Sequence, residues 1–86
     1  MKVYLHDEKD NVVVALDNLK PGDKIEAKGK VITVRQEIPF GHKVAIENIP
    51  KGSYIIKYGE VIGVATTNIE EGEHVHIHNL KSLKYT

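Results

Sequence analysis

The sequence predicts an all-β domain built from short hairpins. Its apolar residues fall into short β-branched runs, turns with glycine or proline separate these runs, and no window of helical length repeats its apolar residues every 3.6 positions. The chain has 86 residues, which suffices for one small domain with a modest core, so we expect a single domain covering residues 1–86. The many short strands favour a compact folded-over sheet or small barrel over a long sandwich.

The strands are predicted from the apolar runs in order along the chain. The first hairpin joins residues 3–5 to residues 12–16 across the polar segment Asp7–Asn11, which has turn chemistry. Further strands are predicted in the β-branched runs at residues 30–34, 54–58 and 61–67. Glycine corners at Lys28-Gly29-Lys30 and Tyr58-Gly59-Glu60 are predicted to close two more hairpins.

A turn of one kind recurs along the chain. An apolar residue enters the turn and a glycine follows, at residues 19–23, 38–42, 49–53 and 69–73. The first three also contain proline, which presets φ at a corner, whereas glycine supplies a positive φ. Because the spacing of the turns is irregular, we interpret them as recurring turn chemistry and not as a solenoid repeat.

The composition excludes several classes of function. Twelve basic residues balance twelve acidic residues, so the chain lacks the positive field that attracts phosphates, and we expect no nucleic-acid partner. The absence of cysteine excludes disulfides, thiolate metal sites and a cysteine nucleophile. No apolar run approaches the length of a membrane span, and the first seven residues lack the apolar core of a signal peptide. We therefore expect no membrane association and a cytoplasmic location.

Three histidines stand at strict two-residue spacing in the segment 72–80. In a strand, this spacing places His74, His76 and His78 on one face, and predicts that Val75 and Ile77 are buried on the other. Neighbouring histidines would lie roughly 7 Å apart and the outer two roughly 13 Å apart, so two imidazoles could converge on one metal ion, but not all three without a bulge. A solvated histidine face, a metal site within this chain and one wall of a shared site all remain open.

Three motifs together resemble the amino-terminal domain of the altronate and galactarate dehydratase family. They are Ile-Pro-Phe-Gly-His-Lys at 38–43, Ile-Lys-Tyr-Gly-Glu-Val-Ile-Gly at 56–63 and Gly-Glu-His-Val-His-Ile-His-Asn at 72–79. The resemblance covers most of the chain, since residues 11–16 and 21–23 are similar as well. It implies a SAF domain of the β-clip fold, which agrees with the all-β prediction.

The resemblance also implies an activity and a partner. Members of the family are lyases that dehydrate sugar acids, related enzymes eliminate sulfite from sulfolactate, and a much larger catalytic region usually follows this domain. Since the present chain ends at Thr86, it resembles a separately encoded small subunit, which we expect to be inactive alone. The implied partners are a large catalytic dehydratase subunit and a sugar acid, and homo-oligomerisation remains open. The implied cofactor is iron(II) or another divalent metal, held mainly by the large subunit.

Six residues in these motifs are candidates for the site. Histidine can act as a base, an acid or a ligand near neutral pH, and lysine can hold an anionic substrate. The candidates are His42, His74 and His76 for catalysis, Lys43, Lys57 and Asn79 for substrate binding, and His74 and His76 for a metal that the large subunit could share. We expect the Gly41 turn and the strand after Gly72 to approach each other, because one small substrate must reach both. The ordinary alternatives are solvated histidines and lysines, and an asparagine that bonds its own backbone.

Two other functions compete with the subunit hypothesis. One is a free-standing SAF-type module that binds a carbohydrate or a protein, since the fold alone does not fix the function. The other is an autonomous metalloenzyme, which would need three protein ligands and a pocket from 86 residues. Because a short strand offers only two convergent imidazoles, the spacing predicts weak metal binding by the isolated chain.

Overall fold

Residues 2–83 are described by a computed structural model and form an all-β structure, as predicted. Within this range there are nine short strands. They are β1 (Val3–Tyr4), β2 (Val12–Ala15), β3 (Lys24–Ala27), β4 (Lys30–Thr33), β5 (Lys43–Ala45), β6 (Tyr54–Lys57), β7 (Glu60–Ala65), β8 (His74–Val75) and β9 (Leu80–Ser82). No helix in the described range could cross a membrane, and the cytoplasmic location stays a prediction.

The strands form three antiparallel sheets within residues 2–83. The largest has the order β1-β2-β5-β8, the second consists of β3 and β4, and the third has the order β6-β7-β9. The first predicted hairpin is confirmed, because Val3 of β1 pairs with Ala15 of β2. Strands β5 and β8 come from distant parts of the chain, and their pairing builds the edge of the largest sheet.

The two predicted glycine corners are confirmed as two-residue hairpin loops. Lys28 and Gly29 connect β3 to β4 with φ of 54° and 77°, and Tyr58 and Gly59 connect β6 to β7 with φ of 58° and 73°. Positive φ at both corner residues is characteristic of a type I′ turn, whose twist matches that of the flanking strands. Each loop therefore folds one apolar run back on the next.

The four-stranded sheet separates two apolar clusters. Successive side chains of a strand point to opposite faces, so Val13 packs in the first cluster and Val12 in the second. Val44 and Ala45 of β5 are divided between the clusters in the same way. The β3–β4 hairpin contributes to the first cluster and the β6–β7 hairpin to the second, so each hairpin covers one face of the sheet.

The recurring turns belong to two copies of one structural unit. Gly52 follows Gly22 by 30 residues, and Gly72 follows Gly41 by 31 residues. The amide of each turn glycine donates a 2.8 Å hydrogen bond to a carbonyl. Gly22 donates to Val34, and its counterpart Gly52 donates to Ala65. Gly41 donates to Ala15, and its counterpart Gly72 donates to Ala45. The extra residue of the second copy lies in β7, where the pairing with β6 shifts register. The irregular spacing thus hides a duplication that the sequence interpretation missed.

Candidate functional site

His42, His74 and His76, here called the histidine cluster, meet where β5 and β8 pair. Lys43 of β5 is paired with Val75 of β8. Because the two strands are antiparallel, the residue just before β5 lies beside the residue just after β8. This register places His42 beside His76, with ring centroids 4.1 Å apart. The predicted approach of the turn before β5 to the histidine segment is therefore confirmed.

The three imidazole rings of the cluster lie close enough to act together. The planes of the His42 and His76 rings are only 21° apart. His42 Nδ1 lies 2.9 Å from His74 Nε2, so one of these nitrogens donates a hydrogen bond and the other accepts it. One nitrogen from each of the three rings lies within 4.8 Å of the other two. The sequence predicted two convergent imidazoles, and the third comes from His42, the residue just before β5.

The histidine segment is shorter as a strand than the sequence predicted. Strand β8 ends at Val75, and residues 76–79 form a turn. Val75 is buried and His74 and His76 are partly exposed, as predicted. The predicted burial of Ile77 is wrong, because its side chain is 83% exposed. Side chains alternate between two faces only within a strand, so the predicted alternation stops after Val75, where the turn begins.

Asn79 holds this turn in place. Its Oδ1 accepts a 3.0 Å hydrogen bond from the His76 amide, and its Nδ2 donates a 2.8 Å hydrogen bond to the His74 carbonyl. Its own amide donates to the His76 carbonyl at 3.1 Å. Because Asn79 is buried and both polar ends of its side chain are bonded, the backbone role is the one observed. Its contact with substrate stays a prediction.

Two other side chains lie next to His74. Gln36 Oε1 accepts a 2.8 Å hydrogen bond from the His74 amide. The exposed His78 ring has its centroid 5.1 Å from that of His74, but His78 does not belong to the group of three convergent nitrogens. Sequence reasoning missed Gln36, because this residue lies 38 positions from its partner and no local pattern marks it.

The surroundings of His74 and His76 favour the neutral form of these two imidazoles. Burial is the largest cause that lowers the pKa of His74 to about 4, followed by the positive charges of its neighbours, His78 first. The pKa of His76 is lowered by burial and then by the charge of His42. Near neutral pH, His74 therefore carries a free electron pair that can accept a proton or bind a metal ion.

Lys43 adds an amine next to the histidines. It is half-buried, and burial, followed by the charge of Lys57, lowers its pKa. The charge of Lys43 acts in turn on His74 and His76. Lys57 lies within electrostatic reach of Lys43, and its Nζ is 4.7 Å from the centre of the Tyr58 ring. Neither lysine forms an ion pair within residues 2–83, so both amines can attract an anion.

The cluster lies on an open face of the domain. All three of its histidines are partly exposed. A groove of about 470 Å³ lies elsewhere, beside β1 and the β3–β4 hairpin, and the residues that line it are Lys2, Val3, Lys24, Ile25, Glu26 and Val31. A small molecule bound at the cluster would therefore have one side uncovered by the described part of the chain.

Comparison with known proteins confirms the family that the three motifs resembled. Residues 1–83 match the family model described as the altronate/galactarate dehydratase SAF domain. The chain belongs to this family. The SAF domain is 41% identical to the altronate dehydratase of Bacillus subtilis over 95% of its own length. It is 44% identical to the altronate dehydratase of Escherichia coli over 85% of its length, and 33% identical to subunit alpha of (2R)-sulfolactate sulfo-lyase from Chromohalobacter salexigens over 94%.

These relatives differ in the share of their length that the SAF domain matches. The match spans 17% of the Bacillus dehydratase and 15% of the Escherichia dehydratase. It spans 94% of the sulfo-lyase subunit. A SAF domain of this family therefore forms a small part of some chains and nearly the whole of another.

The residues of the cluster fit the divalent metal that the family resemblance implied. Imidazole nitrogen is a good ligand for zinc, iron, nickel and copper, and three such nitrogens converge here. His76 Nδ1 is buried and has no hydrogen-bond partner within residues 2–83, so one polar atom in the cluster is unsatisfied. A divalent ion at such a site would polarise a carboxylate or a hydroxyl group.

Proposed function

We propose that this SAF domain is the small subunit of a sugar-acid dehydratase or a related lyase, and that its histidine cluster completes a site with a separate large catalytic subunit. The observation that supports this function most is the meeting of the cluster with Lys43 on one open face. An elimination needs proton-transfer groups and an anion-attracting group within reach of one small molecule.

The proposed chemistry assigns a role to each group. The bond between hydrogen and the carbon next to the carboxylate breaks, its electron pair forms a double bond, and the leaving group departs from the adjacent carbon. A neutral imidazole such as His74 can accept that proton, and a protonated imidazole can donate one to a departing hydroxyl group. Lys43 can attract the carboxylate of the substrate, with Lys57 adding to the positive field.

Two features support a large partner subunit. The sulfo-lyase relative is named a subunit, and the dehydratase relatives are several times longer than the SAF domain. In addition, Phe40 and Ile77 are 65% and 83% exposed, and each lies within two residues of a cluster histidine. Exposed apolar side chains beside a polar site are typical of a surface that another protein covers. We therefore assign this face to the large subunit.

Coexpression with a candidate large subunit tests this function. The complex should be assayed on a panel of aldonic, aldaric and sulfo acids, and each chain should be assayed alone. We expect elimination from at least one acid by the complex and none by the SAF domain alone. Activity of the isolated domain would contradict the subunit role. Failure of any large subunit to copurify would favour the free-standing binding module.

Alanine substitutions test the role of individual groups in the active complex. We expect turnover to fall by about 10- to 10,000-fold, the range for losing a proton-transfer group, in the variants His42→Ala, Lys43→Ala, His74→Ala and His76→Ala. His6→Ala is the control, because His6 contacts Tyr4 and Tyr58 and not the cluster. It should change turnover by less than about twofold. Normal turnover in all four variants would indicate that the domain acts only as a scaffold for the large subunit.

A further inference from the structure

We propose that this chain alone binds one divalent transition-metal ion through His42, His74 and His76. This inference replaces the weak binding that the sequence predicted, and it requires neither a large subunit nor lyase activity. It concerns a first-row ion that imidazole binds well, such as zinc, cobalt(II), nickel or iron(II), and not magnesium or calcium, which prefer oxygen ligands.

The first argument is the number of ligands. Two-residue spacing along one strand offers two convergent imidazoles, whereas a metal site with an open position normally has three protein ligands. The pairing of β5 with β8 supplies the third, because it places His42 beside His76. The third ligand therefore comes from the fold and not from the local sequence.

The second argument is distance. One nitrogen from each ring lies within 4.8 Å of the other two. His42 Nδ1 and His74 Nε2 lie 2.9 Å apart. A tetrahedral ion with metal–nitrogen bonds of about 2.0–2.1 Å separates its ligand nitrogens by roughly 3.4 Å. This value lies within the 4.8 Å limit. Rotation of the rings, together with a change of tautomer in whichever of His42 and His74 donates their hydrogen bond, would bring one lone pair from each ring to the ion.

The third argument is the unsatisfied nitrogen of His76. Its Nδ1 is buried and has no hydrogen-bond partner within residues 2–83. Leaving a buried polar atom unpaired is unfavourable, because the atom has lost its hydrogen bonds to water. If the His76 ring rotated toward a shared ion, its Nδ1 could bind the ion or reach water. Without an ion, this nitrogen remains buried and unpaired within residues 2–83.

The backbone around the cluster is already fixed. The His74 amide donates to Gln36 Oε1, and the His76 amide donates to Asn79 Oδ1. His42 follows a turn in which its amide donates to the Pro39 carbonyl at 3.0 Å. Because these hydrogen bonds do not use the imidazole nitrogens, all three rings keep a nitrogen for the metal, and little backbone order has to form when the ion binds.

The competing explanation is a metal-free stack of the three imidazoles. The hydrogen bond between His42 and His74 would hold such a stack without any ion. This explanation predicts no saturable binding at one equivalent of metal, which makes the two accounts distinguishable in the isolated chain.

The experiment is titration of the untagged, metal-stripped full chain with zinc by calorimetry, and with cobalt(II) by its visible absorption spectrum. We expect one ion per chain and a tetrahedral cobalt spectrum. His42→Ala, His74→Ala and His76→Ala should each weaken binding by at least about 100-fold, more than the 10- to 100-fold typical of losing a partner that only orients a ligand. His78→Ala and His6→Ala are the matched controls and should stay within about threefold of the unaltered chain.

Several results would overturn the proposal. They are the absence of one-to-one binding, full affinity in His42→Ala, and a loss in His78→Ala as large as in His42→Ala. If a variant fails to fold, as judged by circular dichroism, nitrogen-15 spectra of the imidazoles in the unaltered chain decide the matter, because zinc should shift the signals of the three cluster histidines and leave that of His6 unchanged. Since no large subunit is present, failure here leaves the proposed lyase role standing, and failure of the coexpression test leaves this site standing.

Discussion

At the scale of single residues, the shape of the cluster depends on Asn79. Its side chain bonds to the His76 amide and the His74 carbonyl, and so holds the turn that keeps His76 beside His42. Asn79→Ala would leave these buried groups without partners, so we expect the free energy of unfolding to fall by about 1–3 kcal/mol. Metal affinity should fall by about 10- to 100-fold, because the ligand loses its orientation. Urea denaturation and metal titration measure the two effects.

Asn68→Ala is the matched control for this prediction. Asn68 Oδ1 also accepts a backbone hydrogen bond, from the Lys51 amide at 2.8 Å, but in an exposed turn away from the cluster. Asn68→Ala should lower the free energy of unfolding by less than Asn79→Ala does, and it should leave the metal affinity unchanged. Equal losses of metal affinity in the two variants would contradict the specific role of Asn79.

The pKa of His74 predicts how stability depends on pH in the metal-free protein. The folded-state pKa of about 4 lies below the ordinary value of 6.5, so between these values the unfolded chain binds more protons than the folded chain. The free energy of unfolding should therefore fall as the pH drops from about 6.5 toward about 4, and this contribution should be constant above that window. His74→Gln should show a smaller fall when both proteins are denatured in urea at several pH values. Parallel curves for the two proteins would contradict this prediction.

The sequence predicted part of the cluster for clear physical reasons. Spacing marked His74 and His76, and the family motif marked His42 and Lys43, because these signals are local in the chain. The contact of Gln36 with His74 joins two segments that are distant in sequence, and so no local pattern could predict it. Asn79 did carry a signal, since asparagine often bonds nearby backbone, but the five alternating residues 74–78 before it were equally typical of a strand.

At the scale of elements, the hairpins were predictable and the duplication was not. Glycine corners at Gly29 and Gly59 closed hairpins as expected, because positive φ is a local requirement. The sequence did not indicate the two copies of the turn unit, for two reasons. Equivalent turns alternate along the chain, and the register shift in the β6–β7 hairpin changes the repeat from 30 to 31 residues.

Two of the four recurring glycine turns allow a test of close packing. Gly72 and Gly22 both have a φ near 90°, which costs a residue with a side chain about 1–3 kcal/mol. A Cβ at Gly72 would lie 2.1 Å from the Thr33 carbonyl oxygen, whereas a Cβ at Gly22 would meet nothing within 4 Å. Gly72→Ala should therefore lower the free energy of unfolding by about 1–3 kcal/mol more than Gly22→Ala, the typical cost of overpacking. If urea denaturation gave equal losses of unfolding free energy for the two variants, the backbone at the end of β4 would have moved to accommodate the added methyl group.

At the scale of the whole molecule, the two apolar clusters and the sheet between them present the histidines at one edge. The central strands are buried on both faces, and the histidine cluster lies where β5 begins and β8 ends. Within residues 2–83, this edge presents three imidazoles and the amine of Lys43 on partly exposed side chains. Matching domains occur as a small part of a longer chain or as nearly the whole of a separate subunit.

This edge carries the surface that we propose the large subunit covers. Phe40 and Ile77 are exposed beside the cluster, and we expect the double variant Phe40→Ser, Ile77→Ser to weaken copurification with the large subunit by at least tenfold, because two apolar anchors would be lost from one interface. Val31→Ser is the control, since Val31 is 58% exposed but lines the groove beside β1, away from the cluster. Both proteins should keep the circular dichroism spectrum and the metal affinity of the unaltered chain, because none of the three side chains is in the core. Undiminished copurification of the double variant, or an equal loss in Val31→Ser, would place the partner on another face of the domain.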